Sequence, residues 1–184
     1  MFAVDGRLRG HDVSNGLGSR GRVPWPSLHS SNSSRIANLA DVRGCRFPDN
    51  LLYDVPNLVW YEPLADGTVR AGLTPVATAL SGPMLAFTPK RPTREFEAGK
   101  SFATIESGKW VGPARAAFDG VVVTINEALM DRPNIANADP YGSGWMLTAK
   151  PASADWQSGL VTGVEIASAF EAWMVAERFP GCTP

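Results

Sequence analysis

Short runs of apolar and β-branched residues, separated by turns that contain glycine or proline, fill most of the chain after residue 44. Residues 121–125 form a continuous Val-Val-Val-Thr-Ile run, which is typical of a buried strand. Residues 58–61 and 68–73 flank Asp66-Gly67, a pair that favours a type I′ turn between antiparallel strands. The pattern therefore predicts a protein built mainly from short β-strands.

Two short helices are predicted between these strands. Thr74 precedes Pro75, and this order predicts a helix that Thr74 caps and that ends by Gly82. Asn126 is predicted to cap a second helix, which stops before Pro133.

The C-terminal segment has helical periodicity. Thr162-x-x-Glu165 has the form of a capping box. Apolar residues at helical spacing follow it: Ile166, Phe170, Trp173 and Met174. We expect an amphipathic helix over 162–178 that packs against the sheet, with a docking surface for a partner as the alternative. Many short strands and a terminal helix predict a β-sandwich or flattened barrel with helical additions.

Residues 1–43 differ in composition from the rest, being rich in Ser, Gly, Arg and Asn. Such a segment cannot bury enough apolar surface to offset its conformational entropy, so we expect disorder there and a folded domain over 44–184. An extension without function, or a product of an upstream start codon, is favoured over an organelle transit peptide because of Asp5, Asp12 and Asp41.

Charge and composition exclude several classes of function. The net charge is −1, and residues 1–43 contain six arginines against three acids, so the body is mildly acidic and unsuited to nucleic acid. No apolar run approaches the roughly 20 residues that span a bilayer. His11 and His29 both precede residue 44, so the body has no histidine for a hydrolytic triad or a metal site.

Residues 103–113 predict a β-hairpin with Lys109 near its tip. A phosphate-binding loop is excluded, because the required glycine is replaced by Ala103 and the required hydroxyl by Trp110. A solvated surface lysine without function is the alternative that the residues alone leave open.

Several ordered motifs resemble the glycine-cleavage H-protein family. They are Glu106-Ser107-x-Lys109, Asp119-Gly120-Val121-Val122, Asn126-Glu127-Ala128-Leu129, Pro133-x-Ile135-x-Asn137 and Asp139-Pro140-Tyr141-Gly142-x-Gly144-Trp145. The resemblance implies a barrel-sandwich hybrid fold. It also implies a carrier without catalytic activity of its own, whose lipoate is attached covalently to Lys109 in a hairpin formed by Glu106, Ser107 and Gly108.

The partners that the resemblance implies depend on the branch of the family. The opening Gly44-Cys45-x-Phe47-Pro48, the Gly-Lys-Trp-Val-Gly-Pro hairpin and a cysteine near the C-terminus look more like H-like lipoate-binding proteins of sulfur oxidation, which work with a heterodisulfide-reductase-like complex. The alternatives are a glycine cleavage H protein serving glycine decarboxylase, aminomethyltransferase and dihydrolipoyl dehydrogenase, and an unmodified H-like interaction domain. Either carrier implies a lipoate ligase or lipoyl transferase.

Cys45 and Cys182 are the two cysteines of the chain. Two are too few for a disulfide framework, and such a content is compatible with a reducing cytosol, so we expect a cytoplasmic protein. In the sulfur-oxidation branch both thiols could exchange with the lipoyl arm. The alternative is a small buried side chain at Cys45 and an unpaired thiol at Cys182.

Overall fold

The computed structural model describes residues 38–182, in which short strands predominate. The strands are β1 Leu39–Val42, β2 Cys45–Pro48, β3 Leu52–Asp54, β4 Val59–Pro63, β5 Val69–Leu73, β6 Met84–Pro89, β7 Glu95–Phe96, β8 Ser101–Ser107, β9 Val111–Arg115, β10 Gly120–Ile125, β11 Trp145–Pro151 and β12 Val161–Thr162. The helices are α1 Pro75–Ser81, α2 Glu127–Asp131, α3 Ile135–Ala138 and α4 Ile166–Ala176, the last preceded by a 3-10 turn, Gly163–Glu165. The mainly β architecture predicted from the sequence is confirmed.

The strands form antiparallel sheets of different sizes. Seven strands follow one another in the order β12-β3-β4-β5-β11-β10-β7, three in the order β6-β8-β9, and β1 pairs with β2 alone. The β8–β9 hairpin is therefore the end of a small sheet, anchored along β8 by β6.

The first three residues of strand β4, Val59, Trp60 and Tyr61, are buried on both faces of the sheet, which explains why all three are apolar or aromatic. Val59 and Tyr61 pack into the main core, together with Phe102 and Ile105 of β8. Trp60, which points the opposite way, packs into a second cluster with Phe47, Tyr53, Phe170 and Met174. Helix α4 and the β1–β2 hairpin thus share a core of their own, separate from the one under β8.

Local predictions about α1 are confirmed. The Thr74 hydroxyl accepts a hydrogen bond from the amide of Ala77 (3.3 Å), Pro75 opens the helix, and Gly82 caps its C-terminus at φ +75°. The Asp66-Gly67 turn lies where predicted, but only Gly67 of the pair has positive φ, so it is not type I′, which needs both.

Asn126 and Thr162 lie at the predicted N-cap positions, of α2 and of the 3-10 turn before α4, but neither side chain makes a cap bond because both bind elsewhere. The hydroxyl of Thr162 donates to the carbonyl of Leu51 (2.9 Å), just before β3, and α4 begins only at Ile166. The amide of Asn126 donates to the carbonyls of Ser143 (2.8 Å) and Trp145 (2.7 Å) and makes no cap bond to α2.

The domain boundary at residue 44 is also wrong in part. Leu39–Val42 form β1, which pairs with β2, and Val42 is buried in the second cluster. Residues 1–37 lie outside the described part of the chain. The helix predicted over 162–178 is shorter in the structure, where α4 spans Ile166–Ala176. None of the described helices is long and apolar enough to cross a membrane.

Candidate functional site

The tip of the β8–β9 hairpin is braced by Ser107. Its backbone amide donates to the carbonyl of Trp110 (2.8 Å) and closes the turn. Its hydroxyl, which is buried, accepts from the amides of Lys109 (3.3 Å) and Trp110 (3.1 Å). One side chain thus satisfies the backbone donors of the turn and fixes where Lys109 leaves the chain.

Lys109 itself is exposed at this tip. Within residues 38–182 its ammonium group has neither an ion pair nor a hydrogen bond. The tip is also open sterically, because a Cβ on Gly108 would have no neighbour within 4 Å, and Glu106 is exposed beside it. The amine is therefore accessible to an acylating enzyme, as the predicted role requires.

The aliphatic stem of Lys109 runs beside Gly82 at the end of α1. A Cβ on Gly82 would lie 3.9 Å from Cε and 4.0 Å from Cδ of Lys109. Asn137 fixes this end of α1, since its amide donates to the carbonyl of Gly82 (2.9 Å) and its side-chain oxygen accepts from the amide of Met84 (2.9 Å). Gly82 is 55 residues from Asn137 in the chain, so no local pattern in the sequence reveals this contact.

A cavity of about 510 Å³ lies next to Lys109 and is lined mainly by apolar side chains. Ala77 and Leu80 of α1, Ile105 of β8 and the indole of Trp110 contribute to its wall. The charged side chains of the lining are Lys109 and Arg115, both cationic. Acylation of Lys109 would remove its charge, so the cavity would offer an attached group an apolar surface and one cation, Arg115.

Cys45 and Cys182 are paired with each other and lie away from this cavity. They form a disulfide that joins β2 to the segment after α4, 137 residues along the chain. Cys45 is fully buried in the second cluster, and the amide of Cys182 donates to the carbonyl of Arg43 (3.0 Å). The expectation of an unpaired thiol at Cys182 is thus wrong, and neither sulfur is a free thiol here.

The loop between α3 and β11 is held by hydrogen bonds within it and to the second cluster. Its Asp139 carboxylate accepts from the amides of Ser143 (2.6 Å) and Gly142 (3.1 Å), and the Ser143 bond above all lowers the pKa of Asp139. Tyr141 donates to the carbonyl of Arg46 (2.9 Å), and Trp60 donates to that of Pro140 (3.0 Å). These contacts tie the loop to the second cluster.

An exposed lysine at a braced hairpin tip, on a mainly β scaffold, is the arrangement expected of a carrier domain. The model of the glycine cleavage H-protein family matches residues 51–172, and the chain belongs to that family. Its fold is accordingly the barrel-sandwich hybrid of lipoyl domains.

Similar proteins agree with this assignment. Glycine cleavage system H protein 5 of Aquifex aeolicus is 39% identical over 148 residues, covering 78% of this chain and 99% of that protein. Glycine cleavage system H protein 2 of the same organism is 43% identical over 126 residues, covering 68% and 78%. A crystal structure of a glycine cleavage system H protein from Mycobacterium marinum is 31% identical, covers 66% of this chain and 97% of its own, and superposes with a TM-score of 0.59.

Members of this family carry a covalently attached lipoate and are carriers, not catalysts. The protein is thus an H-like lipoyl carrier, as the sequence analysis predicted.

Proposed function

We propose that Lys109 is the residue that carries the lipoyl group. The observation that supports this most strongly is its exposed ammonium, free of ion pairs within 38–182, at a hairpin tip braced by Ser107. Glu106 and Gly108 complete the hairpin, which we propose a lipoate ligase or lipoyl transferase recognises.

The residues around Lys109 fit such a group. Acylation converts the ammonium into a neutral amide, and the apolar wall formed by Ala77, Leu80 and Ile105 can shelter an aliphatic chain. When bound, the lipoyl group supplies a dithiolane that takes up and releases a transferred group through its sulfur atoms. The braced hairpin keeps the arm near docked partner enzymes, where a short tether gives effective concentrations of about millimolar.

The transferred group is a separate question, and the similar proteins favour glycine cleavage. Their names describe glycine cleavage system H proteins, which supports an aminomethyl group as cargo. The partners would then be glycine decarboxylase, aminomethyltransferase and dihydrolipoyl dehydrogenase. We therefore rank the glycine cleavage role ahead of the sulfur-oxidation role that the sequence motifs favoured.

One observation keeps the sulfur-oxidation role as a second candidate. Once Lys109 is acylated, the lining of the cavity keeps one cation, Arg115, and contains no carboxylate, so it does not complement a cationic amine. A neutral or anionic sulfur-bound group, exchanged with a heterodisulfide-reductase-like complex, fits it better.

Lipoylation is tested by incubating the purified protein with a lipoate ligase, ATP and lipoate and measuring the intact mass. We expect a gain of one lipoyl group, and none for Lys109→Arg. An unmodified interaction domain would show no gain and would bind its partners equally well with either residue.

The cargo is tested by presenting the lipoylated protein to each enzyme system in turn. Turnover of glycine with glycine decarboxylase and aminomethyltransferase supports the first candidate. Turnover only with a heterodisulfide-reductase-like complex supports the second. We propose the cytoplasm for both reactions, but the Cys45–Cys182 disulfide removes the support that the low cysteine content gave to this placement.

A further inference from the structure

Trp110, the residue after Lys109, lies across the backbone of Gly112. A Cβ added to Gly112 would lie only 1.9 Å from Cζ2 of the indole and 2.4 Å from Cε2. A strand glycine of this kind marks a close approach to the backbone, so the absence of a side chain at 112 is what lets the indole lie there.

The same arrangement occurs once more, in the core, with a different consequence. Trp60 lies across Gly72 on the paired strand, and a Cβ on Gly72 would be 2.4 Å from Cζ2 of its indole. Trp60 is completely buried, so packing explains that pair. Trp110 is 45% exposed, and burial of apolar area accounts for much less of its position.

Trp110 lines the cavity next to Lys109. Trp110 and Lys109 belong to the same cavity lining, and this lining contains no carboxylate. The stem of Lys109 runs beside Gly82 at the edge of this cavity. An aromatic surface at such a place suits a dithiolane, because sulfur atoms make favourable contacts with aromatic rings.

We infer that Trp110 is a positioning residue, whose indole is held across Gly112 so that the acylated side chain of Lys109 rests against it in the cavity. This inference depends on the proposed lipoylation of Lys109. Trp110 takes part in no bond making or breaking. It holds the arm between encounters with partner enzymes, and Gly112 holds Trp110.

The test is the change in tryptophan emission between the unmodified and the fully lipoylated protein, with the oxidised arm. Disulfide sulfur in contact with an indole quenches its emission, so we expect lipoylation to remove emission of the order of one tryptophan out of six. Trp110→Phe is expected to abolish this difference. Gly112→Ala is expected to reduce it strongly, because the new Cβ displaces the indole without removing it.

A matched control is Trp173→Phe, because Trp173 packs with Phe179 in the second cluster and does not line the cavity. It is expected to leave the difference unchanged. Intact mass must show complete lipoylation of each variant, which separates the two proposals. If the unsubstituted protein gains no lipoyl group, the assignment of Lys109 fails and this inference with it. If lipoylation is complete but quenching is absent, or is equally large in Trp110→Phe, only the role of Trp110 is overturned.

Discussion

Ser107 is the residue on which the geometry of the hairpin tip depends most. Its hydroxyl accepts from two backbone amides and donates to the carbonyl of Trp110 (3.1 Å) while the residue stays buried. Removing it leaves those amides with at best water as partners, and a lost hydrogen bond of this kind costs about 1 kcal/mol.

Ser107→Ala is therefore expected to lower the free energy of unfolding by about 1 kcal/mol and to slow lipoylation, because the turn loses its brace. Urea denaturation and initial rates with a lipoate ligase measure the two effects. Ser158→Ala is the matched control, since Ser158 is exposed and its hydroxyl makes no hydrogen bond within the described chain. Equal stability of both variants would contradict the role of Ser107.

Gly112→Ala is expected to destabilise the protein by about 1 kcal/mol, because the new Cβ overlaps the indole of Trp110. The cost should largely disappear in a Trp110→Ala background, and a double-mutant cycle by urea denaturation measures this coupling. Gly108→Ala, in open space in the same hairpin, serves as the comparison for stability. A cost of Gly112→Ala that is independent of residue 110 would show that the overlap is not its cause.

Some site residues could be identified from the sequence, whereas others could be identified only from the structure. Lys109, Ser107, Glu106 and Gly108 lie together in one short segment, so a motif and a hairpin pattern suffice. Gly82, Asn137 and Leu80 join the site only through tertiary contacts, and their local sequence favours caps and helix positions. The partner of Gly112 is two residues away, but its close approach depends on an indole conformation that the sequence does not specify.

At the scale of elements, the loop between α3 and β11 depends on one carboxylate. The amide of Ser143, and less strongly that of Gly142, binds ionised Asp139 and lowers its pKa in the folded protein. A carboxylate with a depressed pKa contributes stability above its unfolded pKa of about 3.9, and this contribution is lost as the pH falls through the lower folded value.

We accordingly expect the melting temperature to fall on acidification below about pH 4 by more than it does in Asp139→Asn. At neutral pH the variant should be the less stable of the two, because an amide oxygen is a weaker acceptor than a carboxylate. Thermal denaturation between neutral and acid pH measures both. Parallel curves for the two proteins would show that Asp139 does not contribute to the acid sensitivity.

The elements themselves were predictable where local chemistry decides them. Thr74 and Pro75 start α1 by purely local bonds, and α4 buries Ile166, Phe170 and Met174 at the predicted spacing. Thr162 and Asn126 lie at the predicted N-cap positions, but their side chains make no cap bond because both bind distant backbone groups. A polar side chain with a choice of partners cannot be assigned from its neighbours in sequence.

At the scale of the molecule, the Cys45–Cys182 disulfide links β2 to the segment after α4 and stabilises the second cluster. It closes a loop of 137 residues, and Arg43 binds Glu171 on α4 and the carbonyl of Phe179 (2.9 Å) beside it. Sequence could not reveal the pair, because its members are far apart and only the packing of α4 on β1 and β2 brings them together.

Cys182→Ser, or reduction of the unsubstituted protein, is expected to lower the free energy of unfolding by about 2–5 kcal/mol. The melting temperature with and without reductant measures this, and the variant should show no further effect of reductant. Because the hairpin belongs to another sheet, lipoylation of the variant should proceed at the normal rate. An equal free energy of unfolding with and without the disulfide would contradict its stabilising role.

Exchange of Cys45 and Cys182 with the lipoyl arm stays a prediction, but the disulfide between them changes the step. It now requires that the arm in its dithiol form reduces the disulfide, with oxidation of the arm to the dithiolane and release of two cysteine thiols. Alkylation and mass analysis of Cys45 and Cys182 after adding reduced, lipoylated protein to unmodified protein would detect the transfer.

The central claim is that Lys109 presents a lipoyl group, and peptide mass analysis tests it most directly. The protein is produced in cells that also express a lipoate ligase, digested, and the site of modification is read from fragment masses. We expect one lipoyl group, located on Lys109, and no modified peptide from Lys109→Arg. A lipoyl group on another lysine, or an unmodified Lys109 beside a fully modified control carrier, would contradict the claim.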